Sequence, residues 1–128
     1  MIVSLIFILI AGILNAIMDV LSFRFYKSIF NDIKNEKLIS WINPAVSWKN
    51  KYKDKDPKKG PAFFGSMTFL VSVTDAWHCA KSLMITCLCC AIIFYESCGI
   101  NIFLELGILY VAFSGVFELF YSKILINK

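Results

Sequence analysis

A single histidine, His78, and the absence of familiar catalytic motifs set the first limits on this sequence. It contains no G-x-x-x-x-G-K phosphate-binding loop, no G-x-S-x-G nucleophile turn and no H-E-x-x-H metal motif. One histidine is too few for a Cys2His2 zinc finger. The cysteines at positions 87, 89 and 90 lie in an apolar run, where cysteine behaves as a small hydrophobic residue. These features give no support for a nucleotide hydrolase, a serine hydrolase or a zinc-finger protein.

Charged residues are also scarce, at 17% of the 128 residues, whereas hydrophobic residues make up 59%. The mean hydropathy is +0.70, and a soluble domain of this composition would lack the polar surface needed to cover itself. Phenylalanine leads the aromatic residues, which fits lipid-facing surfaces and interfacial belts. The length allows one domain. We therefore predict a single integral membrane domain over residues 1–128.

The charges that are present concentrate in one stretch of the chain. Residues 23–60 contain ten of the thirteen basic residues and only four of the nine acidic ones. Lysine and arginine next to membrane spans stay on the cytoplasmic side, so this stretch predicts a basic cytoplasmic loop. It follows an apolar first segment, which places the N-terminus outside and the C-terminus in the cytoplasm. We expect a multi-pass protein of the cytoplasmic (inner) membrane of a bacterium or its phage.

Hydropathy and turn residues predict an all-α fold, a three-helix transmembrane bundle. Helix 1 covers about residues 1–30, the cytoplasmic loop about 31–61, helix 2 about 62–97 and helix 3 about 100–126. The second element is too long for one perpendicular crossing, because about 37 residues of helix extend roughly 55 Å. Its first part, residues 63–77, lies in the bilayer, on its surface or beyond it, and the sequence leaves these three placements open.

Each predicted helix carries one polar face within its apolar run. Ionisable residues inside membrane segments are costly and need partners or a function. The direction of each helix places Asp19, Asp75 with His78, and Glu118 at the same cytoplasmic level, which predicts that they face one another. The polar residues expected to pack around them between the helices are Asn15, Ser22, Tyr26, Ser82 and Ser114. The small residues Ser4, Ala11 and Gly12 extend the face of helix 1 and favour close helix packing.

The favoured interpretation of this cluster is structural. Hydrogen bonds between helices contribute on the order of 1 kcal/mol each, which is enough to select one packing over another. We therefore expect a non-enzymatic interaction or assembly protein of the membrane, which forms a homo-oligomer or binds a membrane protein partner. No cofactor follows from this interpretation.

A metal site is the main alternative. Asp75 and His78 are three residues apart and project from one helical turn, while Asp19 and Glu118 would complete the ligand shell from the other helices. This set of carboxylates and one imidazole suits Mn, Fe or Zn. The protein would then be a metal-dependent membrane enzyme acting on lipid headgroups or lipid-linked phosphates. A further alternative is a proton or ion path, or a phage-type permeabilising protein, since intramembrane acids and histidine relay protons.

Lipid contacts are expected at the basic loop and its tryptophans. Basic residues beside a membrane attract anionic headgroups, and tryptophan favours the interface, whereas nucleic-acid binding is not needed to explain the lysines. The expected headgroup contacts are Arg24, Lys27, Lys49, Lys51, Lys53 and Lys81, and the expected interface anchors are Trp41, Trp48 and Trp77.

Two short motifs carry a resemblance to other proteins. They are S-W-K-N-K-Y-K at residues 47–53 and T-D-A-W-H at residues 74–78. Together they resemble a group of small, uncharacterised membrane proteins of bacteria and phages. The resemblance covers the middle third of the chain and supports treating Asp75, Trp77 and His78 as one unit. It implies no particular chemistry.

Overall fold

The computed structural model describes residues 1–127, so the last residue of the predicted 1–128 domain lies outside the description. All regular structure in this part of the chain is helical. The five α-helices are α1 (Ile2–Asp19), α2 (Glu36–Ile42), α3 (Pro44–Ser47), α4 (Ala76–Ile93) and α5 (Ile102–Leu119). Three helical segments are long and apolar enough to cross a membrane: Ile2–Lys27, Ala76–Ile93 and Ile102–Ile124. The prediction of an all-α chain with three such segments is confirmed.

Helix α1 is the centre of the bundle. It packs against both α4 and α5, whereas α4 and α5 have few contacts with each other within the described residues. The approach to α5 is close because Gly12 lacks a side chain: a Cβ there would lie 2.8 Å from the backbone oxygen of Phe113. Ser4 and Ala11, on the same helix, are also buried. The expected small-residue face of helix 1 is thus the face that packs.

The first and third spans end in altered helical turns at the same end of the bundle. Helix α1 continues through a π-helical turn, Val20–Arg24, and a 3₁₀ turn, Phe25–Lys27. Helix α5 continues through a π-helical turn, Phe120–Ile124. The chain after α5 pairs with the chain after α1, since the backbone amide of Ile29 donates to the Leu125 carbonyl over 3.1 Å.

The stretch predicted as a basic loop is folded onto the bundle. Helix α2 contributes Ile42 to a buried cluster with Leu21, Phe25 and Ala76. Residues 52–61 form a short hairpin closed by an isolated bridge between Tyr52 and Pro61. The exposed charged residues of this hairpin are Lys53, Asp54, Lys55, Lys58 and Lys59.

The second span is much shorter than the sequence suggested. We expected a helix from about residue 62, but α4 begins at Ala76, and residues 62–75 form turns and a short 3₁₀ segment, Val71–Val73. Asp75 has an extended backbone, with φ −155° and ψ 161°, and caps the helix. The predicted start was wrong because continuous hydrophobicity reports apolar surroundings, not helical structure. Helix α4, with 18 residues, has nearly the length of one bilayer crossing.

Candidate functional site

Asp75 and His78 form a hydrogen-bonded pair at the start of α4. The Asp75 carboxylate accepts the His78 backbone amide at Oδ1 over 2.9 Å and contacts His78 Nδ1 through Oδ2 at 2.7 Å. The Thr74 hydroxyl lies 3.3 Å from the same Oδ2. Asp75 is only 2% exposed. One carboxylate thus satisfies an unpaired amide of the first helical turn and also fixes the orientation of the imidazole.

This geometry determines which histidine nitrogen is free. A carboxylate can only accept a hydrogen bond, so the short contact places a proton on Nδ1 and leaves Nε2 as the other functional atom. The His78 side chain is 30% exposed, and its ring packs edge-on against Trp77 with centroids 5.0 Å apart. Nε2 therefore belongs to an oriented imidazole that ligands can reach.

The loop before α4 holds this pair in place. The Asn50 side-chain amide donates to the Thr74 carbonyl and to the Ser40 carbonyl, each over 3.0 Å. Trp41 Nε1 donates to the Val73 carbonyl over 3.2 Å. These bonds join the helix start to segments more than twenty residues earlier in the chain. Sequence reasoning missed Asn50, although it lies within the S-W-K-N-K-Y-K motif.

Two neighbouring cavities lie beside the pair. The first, which we call the histidine cavity, has a volume of about 210 Å³. The second, which we call the arginine cavity, has a volume of about 700 Å³, within the roughly 300–1,000 Å³ typical of small-molecule sites. Leu21, Ser22 and Pro44 line both cavities. The histidine cavity is also lined by Asp75, His78, Trp77, Trp48 and Ser47, and the arginine cavity by Arg24, Lys27 and Tyr26.

The walls of the arginine cavity carry two cations and an aromatic hydroxyl. The Arg24 guanidinium lies 4.2 Å from the ring centroid of Tyr121, a cation–π contact that joins α1 to the end of α5. Lys27 and Tyr26 are exposed. A guanidinium in a cation–π contact still has N–H groups that can bind phosphate or carboxylate oxygens.

The four residues predicted as metal ligands do not assemble. No group of three or more His, Cys, Asp or Glu residues within residues 1–127 is placed to hold a metal ion. Asp75 and His78 meet, but Asp19 makes no side-chain hydrogen bond or ion pair among the described residues. Glu118 is exposed and accepts a hydrogen bond from Ser122 on its own helix. The described structure therefore brings Asp75 and His78 together but does not join Asp19 and Glu118 to them as one ligand set.

The predicted network of polar residues between the helices is also not formed. Ser22 bonds to the Met18 carbonyl of its own helix over 2.9 Å, and Tyr26 and Ser82 are exposed. In the part of the chain that the structure describes, neither Asn15 nor Ser114 makes a side-chain hydrogen bond. Packing of small residues, rather than interhelical hydrogen bonds, sets the register of these helices.

Most of the cations expected at lipid headgroups lie beside aromatic rings. Lys49 lies over the Trp48 ring at 5.5 Å, Lys51 over Tyr52 at 5.5 Å and Lys81 over Trp77 at 5.1 Å. Lys53 is exposed at the base of the hairpin. Paired cationic and aromatic side chains of this kind suit a membrane interface.

Sequence reasoning missed a second buried acid, Glu105, at the opposite end of the bundle. It is fully buried and accepts hydrogen bonds from Tyr95, from the Ser97 hydroxyl at 2.8 Å and from the Cys98 amide at 2.9 Å. These donors belong to the turn between α4 and α5. A signal was present, since an isolated acid one turn into an apolar helix follows a turn rich in donors.

Comparisons with protein-family models, curated proteins and solved structures found no match to this chain. The assignment of function therefore rests on the residues and their arrangement.

Proposed function

We propose that this chain is a multi-pass membrane interaction protein that binds an anionic, phosphate-bearing headgroup at the end of the bundle where α4 begins. The observation that carries the proposal is the oriented Asp75–His78 pair lining a cavity next to the one that contains Arg24 and Lys27. A buried carboxylate that only capped a helix would not need an imidazole as its second partner.

The chemistry of the two cavities is complementary to a phosphate ester. Arg24 supplies a planar set of N–H donors, and Lys27 supplies a second positive charge. His78, oriented by Asp75, presents Nε2, which donates to a phosphate oxygen when the ring is protonated. The apolar walls from Leu21 and Trp77 are suited to the first carbons of a lipid. A headgroup at the membrane surface meets all of these requirements.

The proposal also specifies the side of the membrane on which the two cavities lie. The basic segment between the first and second spans favours the cytoplasmic side, which supports a position for both cavities at the inner leaflet of the cytoplasmic membrane. Reporter domains fused to the two termini test this directly. We expect activity outside the cell for the N-terminal fusion and inside for the C-terminal fusion, and the reverse pattern would overturn the orientation.

Lipid retention in nanodiscs tests the binding function. The purified chain is placed in phosphatidylcholine discs with a minor fraction of phosphatidic acid, and retained lipid is measured by native mass spectrometry. We expect Arg24→Gln and His78→Gln to lower the retention of phosphatidic acid several-fold. Lys58→Gln is the matched control, because it removes one exposed charge that lines neither cavity. Equal retention by all three variants and the unaltered chain would overturn the proposal.

A catalytic role at the same place is the second candidate. The specific observation in its favour is that Ser47, a buried hydroxyl residue, lines the histidine cavity together with the Asp75–His78 pair. An oriented imidazole is the usual base for activating a hydroxyl group or a water molecule. Incubation of the protein with bound phosphatidic acid, followed by lipid analysis, separates the two functions. Turnover lost in His78→Gln supports catalysis, and unchanged lipid supports binding alone.

A further inference from the structure

Residues 62–73, which we call the apolar hook, present an unusual surface. They lie between the charged hairpin and the cap of α4 and form turns rather than a helix. Phe64 is 86% exposed, the largest exposed fraction of any large hydrophobic side chain within residues 1–127. The other exposed large apolar residues of the hook are Phe63, Met67, Phe69, Leu70 and Val73.

The hook is held in this shape by specific contacts. The fully buried Ser66 hydroxyl donates to the Lys51 carbonyl over 2.8 Å and accepts the Ala62 amide over 3.1 Å. Gly65 has φ +82°, a conformation that side chains disfavour, and a Cβ there would lie 2.9 Å from the Phe69 ring. The rings of Phe64 and Phe69 pack edge-on with centroids 5.8 Å apart. The exposed rings are therefore displayed by an anchored turn.

A contiguous apolar surface of this kind is unfavourable in water and marks an interaction site. Its position indicates what covers it. The first residue of a predicted membrane span, Ala76, follows Val73 after two residues, so the hook is tethered where that span begins. On its other side, the hairpin carries lysines that favour anionic headgroups. An apolar surface between a lysine-rich segment and a membrane span has the polarity profile of a bilayer surface.

We propose that the apolar hook inserts into the leaflet at which α4 begins, with Phe64 and Phe69 among the acyl chains and the charged hairpin in the headgroup layer. The rings give the chain a contact with lipid in addition to its three spans. Insertion does not depend on the headgroup site: the hook lines neither the histidine cavity nor the arginine cavity.

Site-specific photo-cross-linking tests the insertion. A benzophenone amino acid replaces Phe64 in the full chain reconstituted in liposomes, and a matched chain carries it at Lys58 in the exposed hairpin. Because Phe64 is so exposed, the larger ring displaces little of the protein. After illumination, mass spectrometry of the digested protein should find acyl-chain adducts at position 64 several-fold more often than at position 58.

Accessibility measurements provide a second readout. A spin label is attached to a cysteine at position 64 or 58, in a chain whose five native cysteines are replaced by alanine. We expect oxygen to reach the label at 64 several-fold more than a water-soluble nickel complex does, with the opposite order at 58. Equal exposure to the nickel complex at both positions would overturn insertion. Cross-links from position 64 to a second copy or another protein, without lipid adducts, would also overturn it, because a protein would then cover the hook.

Discussion

Asp75 and Glu105 are both buried, one at each end of the helical bundle, yet they are used differently. Glu105 accepts its hydrogen bonds from residues seven to ten positions earlier in the chain and ties a turn to a helix. Among residues 1–127, Asp75 bonds only to neighbours within three residues, and one of these is an imidazole with a second nitrogen still available. A buried acid whose partners are complete stabilises the fold. A buried acid that orients an imidazole at the wall of a cavity, with one ring nitrogen still available, supports a binding site.

The largest loss of thermal stability in this comparison should come from Glu105→Ala. It leaves the Tyr95 and Ser97 hydroxyls and the Cys98 amide without their acceptor, and unpaired polar groups are costly in an apolar setting. We expect the melting temperature in detergent to fall by several degrees, with lipid retention by the remaining folded protein unchanged. Glu96→Gln, an exposed acid at the same end, is the control. A melting temperature equal to that of the control would show that the turn does not need this carboxylate.

Substitutions of Asp75 should lower the thermal stability less, and two of them should separate stability from lipid retention. Asp75→Ala removes the cap of α4, a loss of about 0.5–2 kcal/mol of stability. Asp75→Asn keeps a good capping residue but no longer fixes the proton on His78 Nδ1. We therefore expect Asp75→Asn to retain most of the thermal stability while losing anionic lipid retention in nanodiscs. If both variants lost thermal stability and lipid retention to the same extent, the Asp75–His78 pair would be structural, and the contrast with Glu105 would disappear.

The smallest effect on stability should come from the Tyr95 hydrogen bond, and it should disappear at high pH. Its hydrogen bond to Glu105 raises the pKa of the Tyr95 phenol, because ionisation would remove the donated proton and place two negative charges together. A raised pKa in the folded state means that this contribution is complete below the unfolded value of about 10 and is lost as the pH rises through the folded pKa.

Comparison with Tyr95→Phe isolates that contribution. Thermal unfolding of the two chains should differ at neutral pH and converge in strongly alkaline solution, and ultraviolet titration should show one late-ionising tyrosine missing from the variant. A constant difference between the chains at every pH would mean that the phenol does not bond to Glu105.

The sequence was sufficient to predict three helices long and apolar enough to cross a membrane, and the burial of the small residues of α1. Long apolar runs are costly outside a bilayer, and small residues such as Ala11 and Gly12 permit close helix contact wherever they occur. Both signals are local, so they need no knowledge of the neighbouring helices. The link between Asp75 and His78 was also predictable from their spacing, although its role as a helix cap was not recognised.

The direction of the acids could not be predicted in the same way. Whether Glu118 faces α1 or the surroundings depends on the rotation of α5 about its axis. That rotation is set by the contact of Gly12 with Phe113 and Val116, a steric fit that a pattern of polar residues does not report. The start of α4 was misplaced for a related reason, since Gly65 and the capping Asp75 interrupt a run that hydropathy alone treats as continuous.

The central position of α1 has a consequence for biosynthesis. Helix α1 is translated before both of the helices that pack on it, and α5 is made after α4. Until residues beyond Phe113 and Val116 have been made, the surface at Gly12 lacks the partner that fills it in the finished bundle. Packing of the bundle around α1 is therefore completed only after α5 has been made, when the chain after α5 pairs with the chain after α1.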